Sequence, residues 1–516
     1  MATDTKTDDR EAGLPPTPLN ACMLQAFEWY VPADQKHWKR LAKVVPGLSS
    51  IGVSNIWIPP ACKAASPQGN GYDIYDIYDL GEFDQKGTTA TKWGPKTDLI
   101  ALRDIANENS VGIYFDVVLN HKAGADHTER CRVIEVDPND RTRHVSDPYE
   151  IDGWFGFEFE GRGGEYSKMK YHWEHFSGTD YNNENGKKAI YAVDGKSWSS
   201  AVDTSEKGNF DYLMFADVDF SHPEVQEDVK NWGVWVSKQL NLSGMRFDAA
   251  RHFSERFLKD FIHHLDENVP QDWFFVGEWW QDSAENMHKY LEMMGRKFSL
   301  FDAPLFYNFC EISTNERADL RKMFDGALVQ NMPVNAVTVV GNHDTQVGQA
   351  SFVKMEGWMK ALAYAVILLR IDGYPCVFYG DLFGIKNPDN EEGPASDGKI
   401  PVMMAARKFY SYGTQDDYWD EPNCVGWVRK GTHDKSYGLA AVLSNAEPGT
   451  KRMNVGAEHK GEVWTDVLGW EQSEVVIDDE GWGSFTCPGT SCAIWVNKDA
   501  PGRDQLNNFD ANIYEE

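Results

Sequence analysis

A chain of 516 residues exceeds a single typical domain and calls for two or three packed units. Hydrophobic residues at 41% and charged residues at 25% describe a folded globular protein rather than a disordered one. The balance of 80 acidic against 50 basic residues leaves a formal charge of −30, which repels phosphate backbones, so no nucleic acid partner is expected. No apolar run is long enough for a bilayer, so no membrane partner is expected either.

Residues 1–20 form a polar tail without an apolar signal region, which points to a cytoplasmic protein, or to a secreted one whose signal has been removed. Cys22, Cys62 and Cys376 lie in apolar strand-like runs and read as buried thiols. Cys487 and Cys492 flank a Pro-Gly-Thr-Ser turn and could join across it; a bridge and two free thiols both remain open, and the bridge would favour an oxidising compartment.

From residue 21 short apolar runs alternate with amphipathic helical patterns, the signature of βαβ units and a parallel sheet. ACMLQAFEW (21–29), SNIWIPP (54–60) and VGIYFDVVLNH (111–121) read as strands, with helices around 35–49 and 97–109. The rhythm then stops. Residues 122–221 are rich in Gly, Asp, Tyr and Trp with no helical period, and a hundred residues is too long for a loop, so an inserted β-rich domain is predicted. The alternation resumes with a helix over 222–240 and strands in SGMRFDAARH (243–252), FFVGEWW (274–280), SLFDAPL (299–305), AVTVVGNHDT (336–345) and YPCVFYGD (374–381). Eight strand runs with helical intervals predict an α/β fold, a (β/α)₈ TIM barrel in two parts (21–121 and 222–414) interrupted after its third strand. From 415 to 516, short alternating strands with turn signals predict a C-terminal antiparallel β domain.

Active sites of such barrels sit where strands end, on the βα loops. Here the strand ends carry Asp116, Asn120 and His121; Arg246, Asp248 and His252; Glu278; and His343 with Asp344. One polar residue after an apolar run is common at any strand end. Four strands ending in acids, Arg and His converge on one volume at the barrel mouth, where neighbouring carboxylates force one of them to hold a proton. Glycosidic hydrolysis needs this kit: a carboxylate beside the anomeric carbon and a carboxylic acid for the leaving oxygen. Abundant aromatics, 13% of the chain, suit the apolar faces of sugars.

DVVLNH (116–121), GMRFDAARH (244–252), GEWW (277–280) and VGNHDT (340–345) resemble, in order and spacing, the four short motifs of the α-amylase family of glycoside hydrolases. LQAFEWYVP, GYDIYDIYDLGEFDQKG, NFDYLMFADVDFSHPEV and GYPCVFYGD are similar to the bacterial liquefying and related fungal subgroup, and the resemblance runs from about Cys22 to Val496. It implies a retaining endo-hydrolase of α-1,4-glucosidic bonds in starch- or glycogen-type glucans, working as a monomer. By position it implies Asp248 as nucleophile, Glu278 as general acid and base, and Asp344 as the residue that grips and distorts the sugar. Arg246 would hold Asp248 ionised; His121 and His343 would bond sugar hydroxyls, Tyr72 would stack on the ring, and Arg251 and His252 would complete the substrate contacts. Arg251 stands where Lys is frequent, which changes donor geometry on the leaving-group side. Asp116 matches a position that is mainly structural. Gly341 would leave the cleft open, in keeping with attack inside long chains.

The same resemblance implies a structural Ca²⁺ held by Asn120, Asp211, Asp217 and the backbone carbonyl of His252, with Asp180 and Asp219 at places where the subgroup adds further metals. Ser199, Ser200 and Ser221 stand where more aspartates occur, and Asn423 and Asn445 replace acids at a third site between barrel and terminal domain. Two other classes stay in view: an inactive relative that only binds, and a barrel hydrolase using a catalytic ion on Asp211 and Asp217. A starch assay separates the first and chelation the second.

Overall fold

The computed structural model describes residues 5–6, 20–295, 298–315 and 317–515, so most of the predicted polar tail lies outside the described residues. Eight short, fully buried strands close into a parallel barrel: β1 (Met23–Gln25), β2 (Asn55–Trp57), β3 (Gly112–Val117), β4 (Gly244–Phe247), β5 (Phe274–Gly277), β6 (Phe298–Phe301), β7 (Ala336–Val339) and β8 (Tyr374–Phe378). Strands covered on both faces read as near-continuous apolar runs, which is why each was visible in the sequence. Helices sheathe the barrel by amphipathic spacing. His37–Ser50 turns Trp38, Leu41, Val45 and Leu48 inward, and Pro223–Leu240 does the same with Val225, Val229, Trp232, Val236 and Leu240. The second helix opens with Pro223 in its first turn and closes on Asn241 at φ 49°, a left-handed cap.

Register decides what meets at the mouth. In the β3–β4 pair Arg246 lies opposite Asp116, and the ladder runs on past the strand ends through Asp248 N–H to Val117 O (3.0 Å) and Glu278 N–H to Phe247 O (2.9 Å). Asp116, Arg246, Asp248 and Glu278 therefore occupy consecutive steps at the C-terminal side of three adjacent strands.

The interruption after β3 folds as an antiparallel sheet, with Tyr149–Gly156, His127–Asp137, Lys187–Val193, Phe176–Asn182, Ala216–Val218 and His121–Lys122 in spatial order. His121 thus belongs to the first strand of the insert as well as to the barrel mouth, and pairs with Asp217. Residues 415–497 form an antiparallel sheet backed by the hairpin of Gly449–Asn454 and Trp482–Cys487. Two ion-pair contacts from Arg370 to Asp417 (2.7 and 2.9 Å) tie this domain to the barrel.

Cys487 and Cys492 are not bridged. The turn between them places Cys487 in the sandwich interior, where it bonds the Cys424 thiol, and puts Cys492 in the neighbouring sheet, against Ala361 of the barrel. All eight cysteines are free and buried, including Cys22, Cys62 and Cys376. At the junction where a third metal was in doubt, Asn423 and Asn445 donate amide hydrogens to the Ala318 carbonyl at 3.3 and 2.8 Å. Donors aimed at that oxygen occupy the place a cation would need.

Candidate active site

The centre of the mouth is a buried guanidinium. Arg246 is 1% exposed; its Nη1 donates to Asp116 (2.7 Å) and Asp248 (2.8 Å) and its Nη2 to Glu278 (2.5 Å). Asp116 in turn accepts from Trp57 Nε1 (2.9 Å) and the Tyr72 hydroxyl (2.8 Å). Arg246 was expected among the substrate contacts. Fully covered, with its Nη atoms on three carboxylates and its Nε buried, it is closed off from a sugar, and its charge serves to position and ionise its neighbours. Asp248 and Glu278 thus accept from the two terminal nitrogens of one guanidinium, at 2.8 and 2.5 Å, which holds their carboxyl groups side by side. That is the close-set arrangement, about 5 Å between carboxyl groups, of a retaining hydrolase rather than the wider gap of an inverting one.

A local twist aims the pair. Ala249, directly after Asp248, adopts φ 49°, an uncommon conformation for a side chain with a Cβ, and its N–H reaches Glu278 Oε2 at 3.2 Å. Burial pushes the Asp248 carboxyl up to about 6, with Arg246 opposing the rise and Asp116 adding to it. Burial also raises Glu278; Arg246 again opposes and the Asp248 charge reinforces. Trp280 lines the cleft beside Glu278, whereas Trp279 turns away to pack on Tyr290. If Asp248 works ionised and Glu278 protonated, kcat/KM should rise through an acid limb near pH 6 and fall on a further alkaline limb. A pH profile whose acid limb lies in the ordinary carboxylate range, about 4, would contradict this assignment.

The cleft, about 250 Å³, is walled by Trp29, Tyr72, His121, Met214, Trp280 and His343, with Asp248, Glu278 and Asp344 in its floor and Arg251 and His252 at the rim. Tyr72, Trp29 and His343 lie within 7° of parallel. Gln25 on β1 donates its amide to His343 Nδ1 at 3.0 Å, so this neutral, deeply buried imidazole carries its proton on Nε2, the nitrogen 3.4 Å from Asp344. His121 is the converse case. Its Nε2 donates to the Tyr72 carbonyl at 2.7 Å, leaving Nδ1 as an acceptor without a protein partner. Burial holds both rings neutral, His121 at about 4. Asp344, 37% exposed at its side chain, is pushed upward by its recess and by Glu278. Arg251 is held by Asp203 (2.8 Å from Nε) and by the Trp280 carbonyl (3.0 Å), so it meets a substrate as a fixed donor rather than a mobile one. His252 bonds the Phe210 carbonyl through Nδ1. Gln25, Trp57 and Asp203 were missed: Gln25 and Trp57 close β1 and β2 without a charge to mark them, and Asp203 lies in the insert, far from any strand end of the barrel.

Beside the cleft, Asp211 and Asp217 are buried together without a bonded cation. Burial raises both; the Asp219 charge helps lift Asp211 to about 7, and the Asp211 charge lifts Asp217 further. The nearest guanidinium, Arg141, gives its Nη1 to the carbonyls of Asn209 and Tyr212. Asn120 lies 3.4 Å from Asp217, and Asp180 accepts the Phe215 N–H at 3.2 Å. Such a donor set, oxygen-rich and short of positive charge, fits a hard divalent ion. Asp219 differs, because Lys196 neutralises it at 2.7 Å.

Barrel, carboxylate pair and sugar-sized cleft together define a glycoside hydrolase of the retaining kind. Residues 38–434 match the family described as "Alpha amylase, catalytic domain" and residues 439–496 that described as "Alpha-amylase C-terminal". The chain belongs to the α-amylase family. It is 44% identical over 482 residues to an α-amylase of Bacillus licheniformis, covering 93% of this chain and 94% of the relative. It is 43% identical over 484 residues to a glucan 1,4-alpha-maltohexaosidase of Bacillus sp. strain 707, covering 93% of each. The solved α-amylase of Geobacillus thermoleovorans, complexed with acarbose, shares the fold with a TM-score of 0.62 at 15% identity, covering 94% of this chain and 99% of that one.

Proposed function

We propose that the chain cuts α-1,4-glucosidic bonds inside starch- and glycogen-type chains, retaining configuration through a covalent glucosyl-enzyme. The observation that supports it most is the single buried Arg246 holding Asp248 at 2.8 Å and Glu278 at 2.5 Å on its two terminal nitrogens. Asp248 attacks C1 as Glu278 protonates the glucosidic oxygen, so the C1–O bond breaks and a glucosyl ester forms. Glu278, now a carboxylate, takes a proton from water; the water attacks C1 and Asp248 leaves. Two displacements restore the starting configuration. Asp344 and the Nε2–H of His343 grip hydroxyls of the reacting sugar, His121 Nδ1 accepts another, and the Tyr72 ring lies under its face. Arg251 and His252 meet the leaving-group side.

Ca²⁺ belongs to this reading as a structural ion on Asn120, Asp180, Asp211, Asp217 and the His252 carbonyl. It would neutralise the buried acid pair and join insert to barrel, while every proton transfer stays with Asp248 and Glu278. We place the enzyme inside the cell as a monomer, a location in keeping with eight unbridged cysteines. Among the described residues no helix is long and apolar enough to cross a membrane.

One digest of soluble starch tests both parts. Iodine colour is expected to collapse while few reducing ends have appeared; slow colour loss with steady release of one short oligosaccharide would replace the endo reading by a chain-end one. With a chelator, thermal stability should fall at once and activity only as the protein unfolds. Immediate loss of turnover with an unchanged melting temperature would move the ion into the chemistry.

A further inference from the structure

On the outer side of the inserted sheet, away from every residue used above, two histidines and a carboxylate converge. Nitrogens of His127 and His172 and a carboxylate oxygen of Glu158 lie within 4.8 Å of one another. We propose that they form a site for a borderline transition-metal dication of the Zn²⁺ class, distinct from the calcium ligands.

The surroundings are built for it. Glu129 lies two residues after His127 and so on the same face of the strand His127–Asp137. Its Oε1 is 2.7 Å from His172 Nδ1 and 3.3 Å from His127 Nε2, which leaves Nδ1 of His127 for a metal, and its Oε2 accepts the Trp173 N–H at 2.8 Å. An ionised carboxylate only accepts, so His172 carries its proton on Nδ1 and keeps the Nε2 lone pair for a metal. This is the carboxylate–histidine pairing that orients metal-binding imidazoles. His127 sits across from Gly156, where a Cβ would stand 2.3 Å from the imidazole. Glycine at this position lets the ring lie flat against the neighbouring strand, and a Cβ would turn it away. Two residues on, Glu158 is held by its N–H to Asp126 Oδ2 at 2.8 Å.

Two imidazoles and one carboxylate suit Zn²⁺ and its neighbours, with water completing the shell; Ca²⁺ prefers six to eight oxygens. Ligands around tetrahedral zinc stand about 3.4 Å apart, and His127, 46% exposed, is free to rotate that far inward. Lys170, itself exposed, pairs with Glu158 and is the charge a dication would displace. A second group, His175, His222 and Glu224, has similar spacing but the wrong tautomer. His175 Nδ1 accepts the His172 backbone N–H at 2.9 Å, so the proton sits on Nε2, the nitrogen facing Glu224.

The test is calorimetric titration of the full chain with Zn²⁺ in excess Ca²⁺, together with Co²⁺ absorption as a report of coordination. One equivalent is expected that Ca²⁺ does not displace and that gives the intense visible bands of tetrahedral Co²⁺. His172→Ala should abolish it. Gly156→Ala, which turns the His127 ring, and Glu129→Ala should weaken it by about 10–100-fold, and His222→Ala should leave it unchanged. Starch hydrolysis with Ca²⁺ should persist in all four variants and serves as the check on folding. Absence of the equivalent in the wild type, or its survival in active His172→Ala protein, overturns the proposal.

Discussion

Glu278→Gln is expected to lower kcat on starch by about 10²–10⁴-fold while KM hardly moves. The substituted amide keeps the size of the side chain and can still accept from Ala249 N–H and Arg246 Nη2, the two contacts that seat it. What it loses is the proton that burial and the Asp248 charge keep on the carboxyl. The loss should therefore depend on the leaving group. An aryl maltoside whose phenolate leaves without protonation should form the covalent intermediate almost normally, and the defect should move to the second step, where a general base is needed. Turnover near that of the wild type on starch, or equal losses on both substrates, would remove Glu278 from proton transfer.

Asp248→Asn is expected to cost more, on the order of 10⁴–10⁶-fold in kcat, because a covalent step disappears rather than slows. An amide oxygen opposite Arg246 Nη1 keeps the hydrogen bond at this position but is not a nucleophile. The decisive observable is covalent. A fluorinated glucosyl donor, which forms the ester faster than water breaks it, should add one glucosyl mass to the wild type. Trypsin cuts after Arg246 and Arg251, so the label should travel with the five-residue peptide 247–251. The variant should take up no label. Label on any other peptide would reassign the nucleophile and, with it, the meaning of the buried Arg246.

Both expectations lean on the same electrostatic arrangement. Three carboxylates on one guanidinium carry net negative charge in a covered site, and such a group resists full ionisation. The protein uses that resistance: one carboxyl stays protonated long enough to act as an acid while its neighbour on the same guanidinium ionises. The aromatic wall and the neutral imidazoles add hydrogen-bond direction without adding charge.

The barrel strands were legible as elements, though shorter than their apolar runs (Met23–Gln25 within 21–29), because a parallel strand buried on both faces is mostly apolar and the helix between two strands is apolar on one stripe. The acids at the strand ends were legible for the same reason, since each interrupts an apolar run. The insert was visible as a loss of helical rhythm, although its first strand begins at His121 rather than after it. Relations across the closed barrel were decided only in the tertiary structure. Gln25 and His343 are 318 residues apart, and their contact sets which nitrogen of the histidine donates. Arg246 looked like a substrate contact until register placed it opposite Asp116 and closed it off. Cys487 and Cys492, neighbours across a turn, lie in different sheets, one inside the sandwich and one against the barrel, and do not meet. Periodicity in a sequence reports whether a position is buried. Which group it is buried against depends on chain closure and strand register, and on that partner depend the tautomers, the ionisation and the chemistry at the mouth.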